Sequence, residues 1–202
     1  MNEPDVREEI LTLMRAMENR PVHVQHVTVL ALALFDQLSA LHGLGERERL
    51  LLEAAGLLHD IGHQYDHLGL GHHKESARLI REHPWENFRR AEVEIIAQVA
   101  RYHRRAMPEF GHEEYRVLDD WDRRMVQRLA ALLRLADSLD RTHEQLVRCV
   151  TVEVRPNQIV FHLEAAGPVV SEVRSAQEKG DLAHAVFQRD LIFMVGGEEI
   201  IP

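Results

Sequence analysis

Residues 51–63 read LLEAAGLLHDIGH. An apolar run at helical spacing ends there in the adjacent pair His59 and Asp60. An imidazole and a carboxylate at the end of such a run are costly to bury, and a divalent metal ion offsets that cost directly. The other expectation for the pair is an exposed cap at a helix C-terminus. Neighbouring residues do not share a helix face. At a helix end, however, the backbone can turn so that both side chains reach one ion, and a carboxylate can bridge two ions.

Further candidate ligands lie on either side. His26 falls near the start of HVQHVTVLALALF (23–35), whose register is expected to turn it towards the core, with His23 left on the surface. Asp137 follows a nearly continuous apolar run in LLRLADSLDR (132–141), a charge aimed at the interior, with Asp140 as its competitor. His72 and His73 open HHKESARLI (72–80), and His103 closes EIIAQVARYHRR (94–105). The expected grouping is His26, His59, Asp60 and Asp137 around one ion, and Asp60, His73 and His103 around a second. Imidazole with carboxylate suits Mn, Fe, Co, Ni or Zn better than Ca, and Mg remains a candidate. A single ion held by the first group alone is the simpler alternative. The other histidines are expected to be ordinary, with His63 the one nearest the chemistry.

Outward from this centre the chain reads as helices. Apolar periodicity predicts helices over 5–18, 23–41, 46–58, 73–82, 91–103 and 121–147, with a glycine-rich loop at 61–72. Near Cys149 the period changes. VTVEV (150–154) and IVFHL (159–163) alternate around a turn, which is a hairpin signature. A helix at about 171–188 and a strand at 191–195 complete a β-β-α-β unit, expected as an antiparallel sheet with one helix. The expected fold class is mainly α, with a helical part over 1–147 and a small α+β part over 148–202.

Composition sets the outer bounds. The 202 residues are 45% hydrophobic but only 5% aromatic, so the core is expected to be built from Leu, Ala, Val and Ile, which favours packed helices. With 33 acidic against 24 basic residues the formal charge is −9, a poor match to broad nucleic-acid or membrane binding. One cysteine excludes an internal disulfide framework, and no secretory signal or spanning segment is visible; a cytoplasmic location is expected.

The ordered set of motifs resembles a known family. HDIG, the late Asp137 and the histidines between them are similar to the HD superfamily of metal-dependent phosphohydrolases. HVQHVTVLALALFDQL, LLEAAGLLHDIG, HHKESARLI, RYHRRAMP and LLRLADSLDRTH more closely resemble the HD-type C-terminal region of the exopolyphosphatase and guanosine-pentaphosphatase family, over about residues 10 to 195. The actin-like region that holds that family's phosphatase site has no counterpart in these residues, so exopolyphosphatase activity is not expected of them. Many HD proteins read HDIGK; here His63 stands at the lysine position.

The resulting expectation is hydrolysis of a phosphoester or phosphoanhydride in a small, nucleotide-like or polyphosphate-like substrate. Asp60 and His63 are the expected catalytic groups, His63 as proton donor. Lys74, Arg104 and Arg105 are expected to hold phosphate in place of the missing lysine. Arg101 and Arg134 are further basic candidates, and a solvated helix end, where positive charge favours the C-terminal dipole, is the equal expectation for RYHRR (101–105). The competing expectation is a module that binds metal or nucleotide without turnover, or forms a homodimer through its tail.

Overall fold

The computed structural model describes residues 3–66, 71–104 and 106–201. Helices α1 (Glu3–Met17), α2 (Pro21–Gln37), α3 (Ser39–His42), α4 (Glu46–Leu58), α5 (His72–Glu82), α6 (Arg90–Arg101), α7 (Glu113–Arg116) and α8 (Asp120–Ser138) come first. Strands β1 (Val147–Val154) and β2 (Gln158–Ala165) follow, then α9 (Val170–Lys179), α10 (Asp181–Phe187), β3 (Asp190–Val195) and β4 (Glu198–Glu199). The protein is mainly α-helical with a small C-terminal sheet, as its periodicity predicts.

Local chemistry sets the helix ends. Pro21 takes the first position of α2, where its missing N–H costs nothing. Gly43 adopts φ 62° after α3, a left-handed cap that relieves the chain of a Cβ clash. Asp119 caps α8, its Oδ1 accepting from the Asp122 N–H at 2.8 Å. α8 ends at Ser138, short of the expected 147. There Asp140 turns inward and accepts from the Gln145 N–H at 2.8 Å, and His143 and Gln145 take positive φ. A buried carboxylate that collects backbone donors ends a helix more firmly than apolar periodicity extends it.

The core is aliphatic. α2 packs on α4 and α8, and α6 packs on α4, α5 and α8. Leu30, Leu34, Leu52, Leu58, Leu129 and Leu132 are all within 1% of full burial, and each such side chain contributes ~1.5–3 kcal/mol relative to exposure. The apolar core runs on past residue 147 to Phe161, Val173 and Phe193.

The sheet corrects one expectation. Its order is β1-β2-β3-β4, with β1–β2 and β3–β4 antiparallel but β2–β3 parallel. A parallel pair needs a crossover, and two helices supply it. The expected single helix is broken at Gly180, where a Cβ would lie 2.6 Å from Leu191 Cδ1 and 2.8 Å from the Ala176 carbonyl. Both crossover helices pack on α8. No described helix is long and apolar enough to cross a membrane.

Candidate metal centre

The ends of five helices meet at one end of the bundle. His23 lies in the first turn of α2 and His72 opens α5. His59 and Asp60 follow α4, His103 follows α6, and Asp137 is the next-to-last residue of α8. Helix C-termini repel carboxylates. Asp60 and Asp137 are therefore anions in an unfavourable position unless cations face them.

Asp60 is the centre. Its Oδ1 lies 3.7 Å from His59 Nε2, 3.5 Å from His72 Nε2 and 3.6 Å from His103 Nε2. Its Oδ2 accepts from Arg20 Nη2 at 2.7 Å and lies 3.9 Å from His23 Nε2 and 3.7 Å from His63 Nε2. Asp137 Oδ1 is 3.5 Å from His23 Nε2 and 3.8 Å from His59 Nε2, while its Oδ2 accepts from Lys179 Nζ at 2.9 Å. These imidazole–carboxylate separations are long for hydrogen bonds. They match the edges between donors each about 2.0–2.2 Å from a shared ion, which fall about 3–4 Å apart.

The imidazoles are fixed from behind. His59 Nδ1 donates to the Gly56 carbonyl at 2.7 Å, and His103 Nδ1 to the Ala100 carbonyl at 2.6 Å. His23 Nδ1 donates to Asp140 Oδ2 at 2.8 Å. Each of these bonds leaves Nε2 facing the cluster, and the buried Nε2 atoms of His23 and His59 have no hydrogen-bond partner among the described residues. His72 Nε2 and His103 Nε2 are 3.4 Å apart. Two ring lone pairs at that separation repel unless a proton or a cation lies between them. The buried donors form two groups that could hold a metal ion, His23–His59–Asp60 and Asp60–His72–His103, and Asp60 belongs to both. Tethering of the far ring nitrogen is how metal-ligating histidines are usually held. The donor set therefore fits divalent metal.

Charge state follows from packing. Burial pushes Asp60 up and Asp137 adds to it, but His59, His103 and Arg20 outweigh both and hold it well below the usual carboxylate range. Burial likewise opposes Asp137, and Lys179 and His23 overcome it. Burial pushes His23 down, yet its contacts with Asp137 and Asp140 raise it to about 9. Burial drops His72 to about 4, and burial followed by its neighbour His59 drives His103 well below its ordinary value.

Two expected ligands are displaced by close neighbours. His26 does not reach the cluster. It is half-buried at the edge of α2 and donates from Nε2 to the Val147 carbonyl at 2.8 Å, and His23 stands at the cluster instead. His73 is half-buried behind His72, its ring centroid 6.5 Å from that of His103, and it belongs to neither donor group. The reason lies in Gly62. A Cβ there would lie 2.3 Å from the His72 carbonyl oxygen and 2.4 Å from Ser76 N, so α5 rests directly on the backbone beside Asp60. The Gly62 N–H donates to Ser76 Oγ at 2.9 Å, and the face of α5 that carries Ser76 carries His72.

A cleft of about 660 Å3 opens above the cluster. Arg104 and His63 line it, His63 stacked on His72 with centroids 3.8 Å apart. Lys74 does not line it; two residues beyond His72, it points to solvent on α5. Arg105 lies outside the described residues. Arg101 is turned away into a 2.9 Å ion pair with Glu114. Sequence reasoning missed Arg20, Arg141, His143, Arg174 and Lys179, all of which line the cleft. His143 stacks on His23 at 3.8 Å with φ 61°. Lys179 comes from the far end of the chain, and no local pattern marks it.

No curated protein matches the chain. The family model described as Ppx/GppA phosphatase, domain III, matches residues 6–176, which span α1 to α9 and include every residue of both donor groups. The chain belongs to the Ppx/GppA phosphatase domain III family.

Proposed function

We propose that this domain is an HD-type metal-dependent phosphohydrolase. The observation that carries the reading is that Asp60 takes part in two buried donor groups at once, each with two imidazoles. His23, His59, Asp60 and Asp137 would hold one divalent ion; Asp60, His72 and His103 would hold the other. Bound ions supply Lewis-acid polarisation of a phosphoryl oxygen and lower the pKa of water towards neutrality. The chain's own groups do the rest. Arg20 and Arg104 line the cleft and are placed to orient phosphoryl oxygens through charge-assisted hydrogen bonds. Asp140 keeps the His23 ring turned so that Nε2 faces inward. His63, at the cleft wall 3.7 Å from Asp60, is the group placed to hand a proton to a leaving oxygen. Mn, Fe, Co, Ni, Zn and Mg are the candidate ions and a small phosphorylated, nucleotide-like molecule the candidate substrate.

One observation favours a second reading, a binding module without turnover. Arg20 already neutralises Asp60, and Lys179 already neutralises Asp137. A cluster compensated in this way stands without an ion. Metal analysis of the purified chain, joined to a phosphatase and phosphodiesterase panel with added Mn, Co, Ni and Mg, separates the two. The first reading expects two ions per chain and metal-dependent release of phosphate or alcohol. Fully metal-loaded protein that turns over nothing in the panel would leave the second.

A further inference from the structure

The cleft is larger and more basic than one phosphoryl group needs. At about 660 Å3 it falls within the range that encloses a whole small molecule. Three of its cations are matched by carboxylates: Arg20 by Asp60, Lys179 by Asp137, and Arg134 by Asp181 at 3.2 Å. Three more, Arg104, Arg141 and Arg174, have no carboxylate within 4.0 Å among the described residues. Among the described residues, the only unpaired carboxylate on the wall is Glu178. A chain of formal charge −9 thus gathers three uncompensated arginines around this opening.

Arg134 makes the point specific. Among the described residues it is the largest fully buried side chain, 1% exposed, and its Nε is buried without a hydrogen-bond partner there. Its Nη1 meets the Met107 sulfur at 3.5 Å and Asp181. Asp181 is half exposed and sits at the start of α10, so the one anion on this guanidinium is a surface side chain. Arg134 is one helical turn before Asp137 on α8, which puts it beside the donor cluster on the same face. Ser171 and Arg174 of α9 line the same cleft. That helix is pinned to the loop carrying Arg141, where Thr142 Oγ1 donates to the buried Glu172 at 2.6 Å.

Resting on the phosphohydrolase reading, we infer that Arg134, Arg141, Arg174 and Ser171 form an anion subsite next to the donor cluster, which takes a second phosphoryl group of the substrate. The substrate class is then a molecule with a further phosphoryl group beyond the one attacked, not a simple phosphomonoester. Asp181 holds the place of that group on Arg134 until it arrives.

The test is calorimetric binding of inorganic tripolyphosphate and of orthophosphate to the full chain with metals removed by chelation. Tripolyphosphate is expected to bind at least about tenfold more tightly, the size of one added charge-assisted contact. Arg174→Gln should cost about tenfold for tripolyphosphate by the same reckoning. Asp181→Asn keeps the acceptor for the Leu182 N–H (2.8 Å) but releases Arg134, and should tighten tripolyphosphate several-fold. Arg15→Gln, which removes the same charge from exposed α1, should change nothing. Equal affinity for the two anions, no gain from Asp181→Asn, or equal losses in Arg174→Gln and Arg15→Gln would overturn the subsite. Release of phosphate from tripolyphosphate with added Mn is scored separately. Its absence counts against the hydrolase reading, while the calorimetry decides the subsite.

Discussion

At the inner end of the cleft, His23, His59 and His103 are buried and each is tied through Nδ1 to a carboxylate or a backbone carbonyl. At the outer end, Ser171, Arg141 and Arg174 are exposed and have no such ties among the described residues. The inner groups are aimed by the helix ends themselves, at the cost of burying charge that only counter-ions offset. The outer groups cost the fold nothing and can adapt to what enters. Chemistry that depends on ångström-level placement belongs to the first end, and recognition of a variable anion belongs to the second.

The inner end can be broken most directly at the shared ligand. Asp60→Ala should abolish binding of both ions and lower any turnover by orders of magnitude; full metal stoichiometry in that variant would sink the two-site arrangement. Next comes the contrast between neighbours. His72→Ala should lose one ion, whereas His73→Ala should keep both, and the reverse result would place the wrong histidine at the site. Asp140→Asn loosens the His23 ring without removing a ligand and should weaken metal affinity about 10–100-fold. An unchanged affinity would mean that the tether does not aim the ring.

A pH experiment sharpens the comparison because the large histidine shifts gather at the inner end. In the metal-free chain burial lowers His72 and His73 to about 4 from the ordinary 6.5. Between those values the unfolded chain binds protons that the folded chain refuses, so stability falls as pH drops from 6.5 to 4. His23 is raised to about 9. Between 6.5 and 9 the folded chain holds a proton that the unfolded chain gives up, so that contribution is lost as pH rises. Thermal unfolding in chelator should therefore peak near pH 6.5, and a midpoint that climbs steadily from pH 5 to 9 would contradict this. The smallest effect is expected from His26→Ala. It removes one hydrogen bond to the Val147 carbonyl, worth about 1 kcal/mol, and should leave metal content untouched, as metal analysis and denaturant titration would check.

Much of this was legible in the sequence. The HD pair, His103 and Asp137 all stand at the ends of apolar runs, and the structure gathers all four. The two misplacements are errors of helical phase. His23 leads the buried stripe Val27, Leu30 and Leu34, and His72 leads Ser76, Leu79 and Ile80, by the same spacing of four and seven. That spacing alone does not decide either choice, because His73 leads the buried Ala77 and Ile80 by the same intervals and His26 leads Leu30 and Leu34 by four and eight. Lys179 and Arg174 carry no local signal, because a wall docked from a parallel crossover is a property of the sheet's connections and not of any local period. The sheet's parallel pair was hidden for the same reason.

Gly62 has a consequence for which residues of this site are exchangeable. A histidine ligand has chemical substitutes: aspartate, glutamate or cysteine can also donate a pair of electrons. Position 62 has none. With His72 O and Ser76 N within 2.4 Å of where a Cβ would stand, even alanine must lift α5 away from Asp60. The least negotiable residue of the centre is thus one with no side chain. It donates nothing to an ion and sets the distance between two that do.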